Sequence, residues 1–251
     1  MSTPATRRHS SVIDTPASGS RVGVRIRAAR SGPEAELIEE FLQRLVVEVP
    51  RGCKYTVFRE PYLECGVPDL VVAVWRVCAA GKWVDERAHV TPSDLRVLQY
   101  LVRAGGATIE ELKTLYPRGL GQTLSRLADA RLVRRWQGMW MPLSLSRSFA
   151  LRRLISVEAK IANWSAVVEQ ARRNTWFACD SYVLLPTRSK SHPGRSSRRP
   201  PPEVRICTLE DAVFRVRVNE ETVPRCYASW LFNEWVLRAE NAPVCRAPEV
   251  R

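Results

Sequence analysis

Two hydrophobic periods run through this chain and change over at definable points. From Glu34, Leu37, Ile38, Phe41, Leu42, Leu45 and Val46 recur on one face at a 3.6-residue period, and Pro50-Arg51-Gly52 stops the helix they predict. Residues 54–58 and 70–75 then read as strands. The second is an unbroken apolar run, the pattern of a central strand covered on both faces. Residues 90–142 have a rhythm of their own. Thr91-Pro92-Ser93-Asp94 opens a helix whose stripe is Leu95, Val97, Leu98, Leu101 and Val102, and Gly105-Gly106 closes it. Thr108 and Glu111 form a capping box for a short second helix, and residues 120–130 form a third with Leu124 and Leu127 inward. Residues 132–136 and 139–141, joined by Gln137-Gly138, read as a hairpin.

Beyond this segment, residues 154–161 predict a strand, 164–178 a helix and 181–185 an apolar strand. Residues 204–209 and 213–218 suggest a closing hairpin. Residues 227–239 suggest a last amphipathic helix, with Trp230, Leu231, Trp235 and Leu237 available to dock on the body or on a partner. No internal repeat is visible. Residues 1–32, rich in Ser, Thr, Ala, Pro and Arg, predict a disordered tail; an organellar transit peptide shares that composition. The domain reading is therefore a basic tail (1–32), a core in two parts (33–89 and 143–220, with a basic loop at 187–203), an inserted module (90–142), and a C-terminal helix and tail (221–251).

Removing the module leaves helix, strand, strand, strand, helix, strand, and two short motifs fall at informative places on it. Gly66-Val67-Pro68-Asp69 puts an aspartate at the entrance of the apolar strand. Glu158-Ala159-Lys160 ends the next core strand, where residues two apart face the same side. Pro-Asp and Glu-x-Lys are each common by chance; their combination on this element order is not. Pro68-Asp69 and Glu158-Ala159-Lys160 resemble the signature of the PD-(D/E)XK nuclease superfamily, over about residues 34–218. Asp69 and Glu158 lie 89 positions apart, wider than is usual there; without the 53-residue module the spacing falls to 36. The three helices and hairpin of the module are similar to a winged helix-turn-helix. The resemblances imply an α/β fold, a restriction-endonuclease-like mixed-sheet core with an inserted winged-helix domain.

The chemistry of these residues agrees with the implied activity, metal-dependent hydrolysis of DNA phosphodiester bonds. Two adjacent carboxylates repel unless a cation lies between them, and oxygen ligands suit Mg²⁺, with Mn²⁺ as a substitute. Asp69 and Glu158 would hold the metal, the Ala159 carbonyl adding an oxygen, and Lys160 would orient or help deprotonate the attacking water. The superfamily often adds a glutamate from its first helix. At 100° per residue Glu34 lies on the apolar face one turn before Leu37 and Ile38, Glu36 points nearly opposite, and Glu39 and Glu40 sit on the flanks, so Glu34 is the candidate. Gln170 matches a glutamine that many members carry on the helix after Glu-x-Lys, where it would hold the scissile phosphate or a metal-bound water. Where several lineages place a tyrosine four residues later, this chain has Asn174.

Charge extends this picture. The net charge is +13, and six arginines against one aspartate fall within residues 1–32, as do six Lys/Arg against one glutamate within 187–205. Such an excess suits a polyanion, although it also serves solubility. In the module, Arg118, Gln122, Ser125 and Arg126 on or before the third helix are the candidates for a major groove, and Arg134 and Arg135 on the hairpin for phosphates. Trp136 and Trp140 flank the hairpin turn and are read as packing there, base stacking being the other use open to them. A cut across both strands would favour a homodimer. The alternatives carried forward are a DNA-binding regulator or structural protein on a catalytically silent core, and an RNA nuclease.

Other classes find no support. The seven cysteines form no CxxC and lie beside none of the three histidines, so neither a zinc site nor a disulfide framework is expected, and reduced thiols in a cytoplasmic protein are. No Ser-His-Asp set, phosphate-cradling glycine loop or dinucleotide fingerprint is apparent. The apolar runs are far too short to span a bilayer, and the N-terminal stretch has no apolar core of a signal peptide.

Overall fold

The apolar run after Asp69 sits in the middle of the fold. In the computed structural model, which describes residues 11–13, 23–28, 31–64, 66–186, 201–216 and 224–241, the chain begins with β1 (Ser11–Ile13), α1 (Pro33–Arg44), β2 (Val46–Glu48), β3 (Cys53–Arg59) and β4 (Leu70–Arg76). Two 3-10 turns, Val77–Lys82 and Asp85–His89, lead to α2 (Pro92–Ala104), α3 (Ile109–Leu115), α4 (Leu120–Asp129) and the pair β5 (Val133–Trp136) and β6 (Met139–Pro142). Then follow α5 (Leu145–Ser148), β7 (Leu151–Ala159), α6 (Trp164–Asn174), β8 (Asp180–Leu185), β9 (Val204–Thr208), β10 (Val213–Arg215) and α7 (Tyr227–Asn241).

Six strands form one mixed sheet in the order β1-β3-β4-β7-β8-β9. The β3–β4 and β4–β7 pairs are antiparallel, and β1–β3, β7–β8 and β8–β9 are parallel. The fold is thus α/β, a mixed sheet with seven α-helices among the described residues. Alternation along β4 explains why both faces are covered. Leu70, Val72 and Val74 pack with Leu37, Ile38 and Phe41 of α1 on one side. Val71, Ala73 and Trp75 pack on the other with α7 and with leucines of α2, α3 and α4. Val167 and Ala171 of α6 cover Val183 and Val204 at the far end of this second side.

Residues 90–142 fold as three helices and a hairpin. The predicted capping box of Thr108 with Glu111 is present, the expected helix start at Thr91 is also a capping box, with Asp94, and α2 ends at Gly105 in the left-handed conformation. Ala107 and Trp140 exchange backbone hydrogen bonds of 3.0 and 2.8 Å, which ties the root of the hairpin to the helices.

Three expectations are corrected, and a fourth, the docking of the last helix, is made definite. The first helix stops at Arg44 rather than running through Val46, because the β-branched pair Val46 and Val47 goes into β2, which pairs with β10. The described part of the expected 204–218 hairpin, residues 204–216, does not pair with itself: β9 joins the main sheet beside β8, the turn Leu209–Asp211 carries the chain away, and β10 pairs in parallel with β2. The first 32 residues are not wholly disordered. Ile13 in β1 and Val24 are buried, and Ile26 bridges Pro61, because these apolar side chains find cover on the β3 edge and α7. The last helix docks on the body, one of the two placements expected for it, and is covered all round, every residue from Ala228 to Leu237 being buried. Its Glu234 forms a fully buried ion pair with Arg87, and its Asn233 accepts from the Ala150 amide at 2.6 Å. Most of the predicted basic loop, residues 187–200, lies outside the described residues. No helix among the described residues is long and apolar enough to cross a membrane.

Candidate active site

The antiparallel register of β4 and β7 places Leu70 opposite Val157, so the residue just before β4 arrives beside the end of β7. Asp69 is that residue. Its Oδ2 accepts a 2.8 Å hydrogen bond from the Ala159 backbone amide, the middle position of Glu158-Ala159-Lys160. Glu158 stands behind Asp69, 4% exposed, and its Oε1 accepts a 2.7 Å hydrogen bond from Asn174 Nδ2 at the end of α6. Burial, reinforced by the charge of Asp69, pushes the Glu158 carboxyl up to about 8, against the bond from Asn174. Burial also raises Asp69, in part offset by the Ala159 amide and by Arg27, and Glu60 and Glu34 raise it further.

Lys160 follows β7 directly, and its Nζ lies 2.9 Å from both carboxylate oxygens of Glu34. Glu34 reaches it from the first turn of α1, where Pro33 begins the helix. Gln170, exposed on α6, completes the far wall. A cavity of about 290 Å³ is lined by Glu34, Asp69, Lys160 and Gln170 together with Arg27 and Arg59. Four of the five residues singled out from the sequence thus share one cavity, and the fifth, Glu158, touches it through Asp69.

Three residues escaped the sequence reading. Glu60 is buried, holds the positive φ of 47°, and donates its backbone N–H to the Asp69 carbonyl at 2.9 Å. Arg27 bonds the Glu60 carboxylate and lies 3.7 Å from Asp69 Oδ1. Arg59 pairs with Glu39, one of the two flanking glutamates of α1. The available signal for Arg27 was local: Val24 and Ile26 alternate with Arg25 and Arg27, a short strand-like pattern inside what reads as a tail.

The module's candidates do not line this cavity. Arg118, Gln122, Arg134 and Arg135 are exposed, and Ser125 donates to Asp129 at 3.4 Å. Arg126 is corrected: its guanidinium bonds both oxygens of the fully buried Asp94, at 2.8 and 2.7 Å, and so ties α4 to the start of α2 instead of facing outward to a base.

No three His, Cys, Asp or Glu side chains among the described residues are grouped to hold a metal ion by themselves. Mg²⁺ does not need that many, since it retains several waters and is held by one or two carboxylates plus substrate oxygens. Asp69 and Glu158 fit that requirement. The charge of Asp69 raises the proton affinity of the buried Glu158, and a divalent cation between them would relieve that repulsion. Comparison of the chain with family models, with curated proteins and with solved structures gives no match.

Proposed function

We propose that the chain is a metal-dependent endonuclease hydrolysing DNA phosphodiester bonds, on a restriction-endonuclease-like core with an inserted winged helix that holds or selects the duplex. The observation that carries this reading is the meeting of Asp69, Lys160 and Glu34 at one cavity where β4 begins and β7 ends, with the buried Glu158 carboxyl next to Asp69. Asp69 and Glu158, with the Ala159 carbonyl beside them, would hold Mg²⁺ or Mn²⁺. Such an ion, when bound, polarises a phosphoryl oxygen and lowers the pKa of a water.

The remaining work falls to the chain itself. The Lys160 ammonium, held at 2.9 Å by Glu34, is fixed at the cavity wall, where it orients the attacking water and offsets negative charge gathering on the phosphorus oxygens. Gln170 faces the same space with an amide able to donate to a phosphate oxygen and accept from a water. Asn174 keeps the buried Glu158 within reach of ionisation by donating to its charged form. Exposed Arg118, Gln122, Arg134 and Arg135 would bind the duplex away from the cavity.

Asp69→Ala and Glu158→Ala test this reading. Both variants should bind DNA as the parent chain does and lose cleavage in Mg²⁺. Cleavage by a folded Asp69→Ala chain at the parent rate contradicts it. One observation favours a second reading, a DNA-binding protein on a silent core: Arg27 already supplies a positive charge beside Asp69 and Glu60. That reading expects binding without turnover and no change when Lys160 is replaced.

A further inference from the structure

The most exposed large apolar side chain among the described residues is Trp136, at 55%, at the tip of the β5–β6 hairpin. Its presentation is rigid. Gln137 and Gly138 both have positive φ, 47° and 79°, the two-residue turn that matches strand twist and fixes the register Trp136 opposite Met139. At the root, Ala107 pairs with Trp140, and Gly106 is packed so closely on Met141 that a Cβ there would lie 2.3 Å from its Sδ.

The two faces of the hairpin differ. Val133 is buried and Trp140 packs on the core, so that face looks inward. Arg134, Trp136 and Met139 share the opposite face by strand alternation and cross-strand register. There the Arg134 guanidinium lies 5.5 Å from the Trp136 ring centroid, and Met139 is also exposed. Arg131, Arg134 and Arg135 are all exposed, and no Asp or Glu occurs anywhere from Ala130 to Val157.

We infer that this hairpin tip is a stacking platform for an unpaired nucleobase, and that the preferred substrate is a duplex continuing into a single strand. The inference rests on the DNA-binding reading above and specifies its substrate class. The uniform positive charge selects a polyanion over a protein surface of mixed charge. A flat indole extended by a guanidinium offers every base a π-face. Inside an intact duplex those faces are closed and must be unstacked to be reached, whereas an unpaired base offers one without that cost. The duplex arm would then lie on Arg118 and Gln122 while the unpaired arm crosses the tip.

The test is equilibrium binding by the full chain, in EDTA so that nothing is cut, to three labelled DNAs of equal phosphate count: a blunt duplex, a duplex with a single-stranded arm, and a single strand. The armed duplex should bind about ten-fold more tightly than the blunt one. Trp136→Ala should abolish that ratio without changing the salt dependence, Trp136→Phe should keep most of it, and Arg134→Ala should lower the salt slope by about one phosphate contact. Equal binding of armed and blunt duplexes, or an unchanged ratio in Trp136→Ala, overturns the platform and leaves the nuclease reading standing. If no DNA binds at all, the hairpin tip serves a protein partner, and the DNA reading fails together with the inference.

Discussion

Asn174 Nδ2 donates a 2.7 Å hydrogen bond to Glu158 Oε1, joining the last turn of α6 to the end of β7 inside the protein. Both residues are about 95% buried. The bond favours the charged form of the Glu158 carboxylate, and it opposes both burial and the neighbouring Asp69.

Replacing Asn174 with Leu should therefore act twice. Loss of the donor leaves a buried acceptor unsatisfied, at a cost of about 1–3 kcal/mol in stability. It also removes what favours the ionised carboxyl, so the acid limb of the pH–rate profile should move to higher pH. Urea unfolding and cleavage rates from pH 6 to 9 measure the two effects separately. An unmoved acid limb would mean that Glu158 ionisation does not govern the rate.

Stability itself should depend on pH through Glu158. Its folded value, about 8, lies above the ordinary 4.5, so the folded state keeps a proton that the unfolded chain releases between those values. The contribution is fully present below about pH 4.5 and is lost as pH rises towards 8, with a slope of up to about 1.4 kcal/mol per pH unit. Asp69, raised as well, acts in the same direction. Glu158→Gln should flatten the slope, and millimolar Mg²⁺ should flatten it in the parent chain. A slope equally steep in Glu158→Gln would place its origin elsewhere.

Arg126 and its neighbours on α4 should separate stability from binding. Burial raises Asp94, but the bonds from Arg126, Thr91 and Thr123 outweigh it and hold the carboxylate below its ordinary value. Arg126→Ala should cost about 1–3 kcal/mol, because Asp94 keeps its cap to Thr91 but loses its charged partner. The exposed Arg118→Ala and Gln122→Ala should change stability by less than about 0.5 kcal/mol and weaken duplex binding instead. Thermal melts and binding assays of the three variants decide between these roles.

The candidate site was legible because its parts are local patterns. Pro68-Asp69 announces itself before an apolar run, Glu158 and Lys160 are two apart at a strand end, and helical geometry alone separates Glu34 from Glu36. The start of α2 at Thr91-Pro92 and the capping box of α3 were legible for the same reason. What stayed hidden depends on pairing across the chain. The Val46–Val213 register of β2 and β10 joins segments far apart in sequence, and nothing local marks two three-residue strands as partners. Glu60 is placed by a positive φ that its residue type does not announce, and Arg27 by its own backbone bond to the Glu60 carbonyl and the bond from Tyr62 to the nearby Arg25 carbonyl. Arg126 has the spacing of a groove-facing residue; only the position of Asp94, 32 residues earlier, turns it inward. In α7 the polar members Asn233 and Glu234 suggest a wet face, and the buried Arg87 and Ala150 amide that satisfy them come from elsewhere.

The most direct measurement is cleavage of supercoiled plasmid with Mg²⁺, Mn²⁺ or EDTA by the parent chain and by Lys160→Ala. Lys160 lies at the cavity wall with Glu34 as its ion-pair partner, so its loss should leave the fold and DNA binding intact. The account predicts nicking or linearisation by the parent chain in Mg²⁺ or Mn²⁺, none in EDTA, and at least about a hundred-fold slower cleavage by Lys160→Ala. DNA binding without cleavage by either protein in either metal, or equal cleavage by both, would contradict it.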